Sequence, residues 1–217
     1  GVFFSPRDIA SIVNRGGTSG IGTAAFESGG FILDGGHSFG ITGDKQMFRP
    51  SSASPGVRPP QVCARLPFPE NWHIVLVIPR QGTRVEGEAE VDIFSRYCPI
   101  PLEEVRAICH EIVVRVLPGI AERDIGLFAP AINSLQDLGF KKREILLQDP
   151  IVPALIRGLS QAGAACAGLT SFGPTVYAIT DNDPAELVHA AEEMLGEAGG
   201  TVLTTHGRNR GATVTRE

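Results

Sequence analysis

The sequence predicts an α+β fold, with helices packed on one face of a small sheet. Helical patterns dominate residues 101–163 and return at 183–197. Three short runs read as strands: HIVLVIP (73–79), TVYAIT (175–180) and GTVLTTH (200–206). After HIVLVIP the chain reads as three helices, a strand, a helix and a strand, the order of an α+β domain.

Each element has a local reason. Ser5 is a good N-cap, Pro6 suits a first helical position, and Asp8 stands where a capping-box acid belongs. Ile9, Ile12 and Val13 then recur at helical spacing. A glycine turn follows (GGTSGIG, 16–22), then a short helix (TAAFES) and the short strand FILD. RPSSASPGVRPP (49–60) reads as a loop or solvated connector. HIVLVIP is continuously apolar and reads as a central strand.

In PLEEVRAICHEIVVRVL, residues Leu102, Val105, Ile108, Ile112 and Val116 share one helical face. Pro101, Glu103 and Glu104 suit that helix's N-terminus. AERDIGLFAPAINSLQDLGF carries a further helical pattern, expected to break near Pro130. DPIVPALIRGLSQAG opens on Asp149-Pro150 and stops at Gly163. Asp183, Pro184 and Glu186 predict an N-cap, a first residue and a capping-box acid for the last helix. The tail GRNRGATVTRE is expected to fray.

With 217 residues the chain can bury a real core. The expected division is an incomplete N-terminal domain (1–67), a C-terminal domain (68–206) and a tail (207–217). Apolar residues make up 42%, charged residues 20%, and the net charge is −5. That balance gives no nucleic-acid footprint. The apolar runs are too short to span a bilayer, and GVFFSPRD lacks a leader's basic start, so no membrane association is expected. Cys63, Cys98, Cys109 and Cys166 have no metal-ligand spacing and read as buried reduced thiols of a cytoplasmic protein.

GGTSGIGTAAF suggests a dinucleotide-binding turn, but such a turn must be entered by a strand. Here a helix enters it. No Tyr-x-x-x-Lys pair follows, since the only tyrosines are Tyr97 and Tyr177. The remaining readings are a structural turn, or a nest of backbone N–H groups before a helix that favours an anion.

The order SGIG, TAAFES, GGFILDGG and, much later, GLTSFGPTVYAIT resembles the superfamily of galactokinase, homoserine kinase, mevalonate kinase and phosphomevalonate kinase. This GHMP-kinase-like resemblance implies part of a ribosomal-S5-domain-2-like N-terminal portion and a ferredoxin-like α+β C-terminal domain. Where many of those kinases carry a catalytic aspartate, this chain has Gly22. Loss of general-base help commonly costs about 10²–10⁴-fold, so phosphotransfer is disfavoured.

The match tightens over NRGGTSGIGTAAFESGGFILDGGHSFG (14–40), FPENWHIVLVIP (68–79), GLTSFGPTVYAI (168–179), GIAERDIGLFAPAINSLQDLGF and VEGEAEVDIF. Together these resemble the archaeal β-ribofuranosylaminobenzene phosphate synthases, non-kinase relatives in methanopterin biosynthesis. The resemblance implies a pentosyltransferase. Phosphoribosyl diphosphate condenses with para-aminobenzoate or para-hydroxybenzoate, releasing diphosphate and carbon dioxide. Mg²⁺ and a homodimer are implied as well. The family pattern includes a further glycine-rich phosphate motif upstream, so the sequence is expected to be an N-terminally incomplete member, its own activity open. A small-molecule kinase and a non-catalytic binding protein are the competing readings.

This chemistry assigns roles to residues. The Gly16–Gly22 and Gly168–Gly173 loops are candidate phosphate cradles, expected to share one pocket, with backbone donors at Gly17, Gly20, Gly22 and Gly173. Thr18, Ser19, Thr170 and Ser171 add hydroxyls. Arg15 offers a charge-assisted bond, or is simply a cation at a helix end. Asp34 could stabilise positive charge at the ribose carbon, hold Mg²⁺, or form a turn before Gly35-Gly36. His37 could take a proton from the aromatic amine or phenol, or be an ordinary loop histidine.

Overall fold

A computed structural model describes residues 4–38, 47–82 and 87–215. Phe39, Gly40, Val85 and Glu86, which belong to the resembling stretches, lie outside the described residues. The chain forms two compact units. One comprises Gly1–Phe68, Glu86–Pro99 and Arg208–Glu217, the other Pro69–Val85 and Ile100–Gly207.

The first unit opens with α1 (Pro6–Ile12), and its capping box forms as the sequence predicts: Ser5 Oγ accepts from Asp8 N–H, and the Asp8 carboxylate accepts from Ser5 N–H. The glycine turn leads into α2 (Ile21–Ser28) and β1 (Phe31–Asp34). β1 pairs antiparallel with β2 (Val62–Leu66), with a bulge between Leu33 and Asp34. A bulge re-aims the side chain at its kink, and here that side chain is the candidate carboxylate. The unit also holds α3 (Glu88–Tyr97), whose Phe94 is buried.

Two expectations change in this unit. The Pro/Ser-rich stretch is not a solvated linker. It makes a 3₁₀ turn at Ser51–Ala53, buries Pro50, Ser54, Pro59 and Pro60, and walls one side of the glycine turn. The segment after residue 207 does not fray where it meets this unit. Asn209 Oδ1 accepts from Phe68 N–H at 2.7 Å and Asn209 Nδ2 donates to Phe68 O at 2.9 Å. Gly30 N–H donates to Arg208 O and Ala212 N–H to Phe26 O, both at 2.7 Å. Gly29 must be glycine there, because its φ is +64° and a Cβ would strike the Arg208–Arg210 backbone.

The second unit is a four-stranded antiparallel sheet in the order β4-β5-β3-β6, built from β3 (His73–Pro79), β4 (Cys166–Leu169), β5 (Val176–Thr180) and β6 (Gly200–His206). Numbered within the unit this order is 2-3-1-4, the ferredoxin-like arrangement the resemblance implied. Between β3 and β4 run α4 (Leu102–Glu111), α5 (Leu117–Glu122), α6 (Ile125–Gln136), α7 (Gly139–Leu146) and α8 (Ile151–Gln161). Between β5 and β6 lies α9 (Ala185–Leu195). Val75, Val77, Val176 and Ala178 of the sheet pack with Val152, Leu155 and Leu159 of α8 and Leu187, Ala191 and Leu195 of α9.

Several local expectations are corrected. The run 102–122 is not one regular helix: a π turn at Ile112–Val116 joins α4 to α5. Pro118 has no N–H to give the Val114 carbonyl, and the wider turn relieves that conflict. On the expected apolar face Val116 is buried, but Leu102 and Val105 are exposed. The face enters the core only toward its C-terminal end. Conversely, α6 runs through Pro130 without a break. It forgoes one backbone bond, while Phe128, Ala129 and Ala131 are buried. In the last helix Asp183 Oδ1 accepts from Ala185 N–H, but Pro184 holds the N-cap position and no capping box forms.

β4 (CAGL) was missed because it lacks β-branched residues. α6 closes its outer edge: Asn133 bonds Ala165 O and Ala167 N–H, and Gln136 Oε1 accepts from Leu169 N–H, each at 3.1 Å. Side-chain amides thus satisfy an edge that would otherwise invite another strand. The thiol expectation holds only for Cys166, whose burial pushes it up to about 12. Cys98 is half-buried, and Cys63 and Cys109 are exposed.

Candidate functional site

In the first unit the structure brings Ser19, Gly20 and Asp34 together. The Asp34 Oδ2 atom accepts from Ser19 Oγ at 2.9 Å and from Gly20 N–H at 2.7 Å, while Oδ1 accepts from Gly36 N–H at 3.1 Å. Asp34 therefore places a negative charge at the N-terminal end of α2, the location a helix start favours for an anion. The turn is not an unused nest. Thr18 N–H donates to Ser51 Oγ at 3.0 Å, Ile21 N–H to Ser19 Oγ at 3.2 Å, and Arg15 N–H to Ala10 O at 2.7 Å. Gly17 and Gly20 are buried against Ser51, Ser54 and Pro60.

Three hydrogen bonds leave a carboxylate at least one further acceptor direction. Asp34 thus keeps capacity for a cation. Among the described residues no three His, Cys, Asp or Glu side chains cluster around a common metal position. A single carboxylate with a lone pair to spare is a ligand of the kind Mg²⁺ takes, its shell completed by water and substrate phosphate oxygens. Alone it does not make an all-protein metal cage.

His37 turns back onto the same loop, its Nε2 lying 3.1 Å from Gly16 O. A carbonyl oxygen only accepts, so Nε2 carries hydrogen, and in the neutral ring the remaining lone pair belongs to Nδ1. Arg15 and Gly22 are exposed. A Cβ built on Gly22 meets nothing within 4 Å.

In the second unit Thr170, Ser171 and Gly173 form the turn between β4 and β5. Thr170 N–H and Oγ1 both donate to Thr175 O at 3.0 Å, and Gly173 N–H donates to Thr170 O at 2.7 Å. Ser171 (φ +44°) and Gly173 (φ +75°) occupy left-handed backbone conformations. At Gly173 a Cβ would lie 2.7 Å from Leu169 Cδ1 and 2.8 Å from Gln148 Oε1.

Two residues that sequence reasoning missed hold this turn. Lys141 Nζ donates to Ser171 O at 2.7 Å while paired with the buried Glu144. Gln148 Nε2 donates to Phe172 O at 2.7 Å, and its buried Oε1 has no hydrogen-bond donor among the described residues. Phe140 meets Phe172 edge to face at 5.6 Å. No local signal marks Lys141 or Gln148, because their partners lie 30 and 24 positions away. Ser51, 33 positions from Thr18, was hidden for the same reason.

A four-stranded ferredoxin-like sheet with a glycine turn after β4, together with a Gly-rich turn feeding α2, defines a GHMP-type protein. Residues 116–196 match the family described as GHMP kinases C terminal. The fold is shared with homoserine kinase from Cytophaga hutchinsonii (TM-score 0.59, 19% identity, covering 87% of this chain and 52% of that one). Mevalonate diphosphate decarboxylase from Staphylococcus aureus shares it too (TM-score 0.52, 11% identity, 96% and 60% covered).

Beyond the shared fold, the chain is similar in sequence to three proteins named beta-ribofuranosylphenol 5'-phosphate synthase. It is 47% identical to the one from Methanothermobacter thermautotrophicus over 98% of this chain and 63% of the relative. It is 48% identical to that of Methanocaldococcus jannaschii (94% and 61%) and 44% identical to that of Archaeoglobus fulgidus (99% and 66%). The chain thus spans just under two thirds of these relatives' length.

Proposed function

We propose that this chain transfers a phosphoribosyl group from phosphoribosyl diphosphate to a para-substituted benzoate, releasing diphosphate and carbon dioxide. The observation that supports this most is the 44–48% identity, over 94–99% of the chain, to three proteins sharing one synthase name. That name contains a ribofuranosylphenol, so para-hydroxybenzoate is the preferred acceptor over para-aminobenzoate. The place of the reaction in methanopterin biosynthesis, a homodimer and a cytoplasmic location complete the reading.

The bond between the ribose anomeric carbon and diphosphate breaks. The ring carbon bearing the carboxylate attacks that anomeric carbon, pushed by electrons from the para oxygen. The ring–carboxylate bond then breaks, its electron pair restoring aromaticity as carbon dioxide leaves. His37 takes up the phenol proton during the push and returns it afterwards. The Asp34 carboxylate stabilises positive charge developing on the ribose. Mg²⁺, when bound, would neutralise charge on the departing diphosphate. On the first unit's glycine turn, Arg15 and the Thr18 hydroxyl, which accepts from Ser51 Oγ, contribute donors to phosphate oxygens. Gly22 supplies no carboxylate for phosphotransfer.

Purified protein incubated with phosphoribosyl diphosphate and para-hydroxybenzoate should release diphosphate and carbon dioxide in equal amounts, without consuming ATP. ATP hydrolysis coupled to phosphorylation of a small alcohol would favour the kinase reading instead. Binding of both substrates without turnover would favour a non-catalytic binding protein.

A further inference from the structure

We propose that His73 and His206 form a two-histidine site for a divalent transition-metal ion at one end of the second unit's sheet. The two residues are direct partners in the antiparallel register of β3 and β6. The register continues to Arg80, whose N–H donates to Gly199 O at 3.0 Å and so marks a hydrogen-bonded pair. Pair types alternate along an antiparallel ladder. Seven steps on, His73 and His206 are a non-hydrogen-bonded pair, the type in which facing side chains stand closest.

Their ring centroids are 4.7 Å apart with the planes inclined at 55°. One nitrogen from each ring must come to within about 3.3 Å of the other to share a tetrahedral ion at 2.0–2.1 Å. Imidazole nitrogens stand at the ring edge, nearer to each other than the centroids when the rings lean together, so small χ rotations bring them into place. His206 is exposed and His73 half-buried, which leaves an ion a route in. Among the described residues neither ring has a hydrogen bond or ion pair that it would have to give up.

Two neutral imidazoles select Cu²⁺, Ni²⁺ or Zn²⁺ and disfavour Mg²⁺, which prefers oxygen. No third His, Cys, Asp or Glu completes a cluster among the described residues. The other coordination positions are therefore left to water or an exchangeable ligand, and the ion is held reversibly. The pair lies at the opposite end of the sheet from the Thr170–Gly173 turn. That turn enters β5 at Val176, beside Val77, and Val77 lies four steps along the strand from His73, about 13 Å. An ion here would clip the outer strand β6 to β3.

Calorimetric titration with Zn²⁺ and Ni²⁺ tests the site, with Mg²⁺ as the negative probe and His189→Asn as the control variant. Unmodified protein should bind one ion. His73→Asn and His206→Asn should each weaken it at least about tenfold, because the second imidazole acts at high effective concentration. His189→Asn should change nothing, and circular dichroism checks that every variant folds. Cu²⁺ should show two nitrogen hyperfine couplings by electron paramagnetic resonance. The proposal is overturned by no binding below about 1 mM, by binding unchanged in both histidine variants, or by weakening in only one of them.

Discussion

Asp34 shows how much chemistry one bulged position can gather. Its three acceptor bonds hold Ser19, Gly20 and Gly36 in one arrangement. Asp34→Ala should therefore cost about 1–2 kcal/mol of unfolding free energy as well as activity, read by urea denaturation beside the diphosphate assay. Gly22 behaves oppositely. With open space around its Cβ position, Gly22→Ala should raise stability by about 0.5–1 kcal/mol, and Gly22→Asp should fold equally well without acquiring kinase activity. The cysteines separate by exposure. Cys63 and Cys109 should react with a thiol reagent within the native protein, whereas Cys166, pushed up to about 12 by burial, should react only after denaturation. Slow modification of Cys63 or Cys109 would contradict the described surface.

The helices of the second unit are tied by one charged junction. Glu104 of α4 accepts from both terminal nitrogens of Arg143 and from Gly139 N–H on α7. The Arg143 hydrogen bonds hold its carboxyl below the ordinary value of 4.5. A depressed carboxyl contributes stability above its unfolded value and loses it as pH falls through the folded one. The stability gap between unmodified protein and Glu104→Gln should therefore shrink from about pH 5 to about pH 3, as followed by thermal melts. A gap independent of pH would mean that the junction acts by packing alone. At the element scale the sequence was most legible where the cause is local: the α1 capping box, the Asp149-Pro150 start of α8, and the β-branched strands. It was least legible at Pro130 and at the π turn, where burial of neighbouring residues outweighs a lost backbone bond.

For the molecule as a whole, Trp72 is a built-in reporter. It is the single tryptophan, is 1% exposed, and packs against Phe128 at 5.0 Å. Leu159→Ala removes a fully buried side chain from the core between α8 and the sheet. It should destabilise the second unit by about 2–5 kcal/mol, seen as an earlier Trp72 fluorescence transition in urea. The likeness to the synthases was legible from loops and strands that recur in order along the sequence. The roles of Lys141, Gln148, Ser51 and Asn209 were not, because each works on a backbone group far away along the chain.

By itself the sequence determined the fold class, the likeness to the synthases and the residue types available for chemistry, because caps, turns and apolar patterns act over a few neighbouring residues. Only the tertiary structure decided that Asp34 already anchors the glycine turn, that the Pro/Ser stretch walls it, that Asn133 and Gln136 close the edge of β4, and that two histidines face each other across β3 and β6. Each of these depends on strand register or on a hydrogen bond between distant segments, and pairing across space leaves no periodic trace in the order of residues.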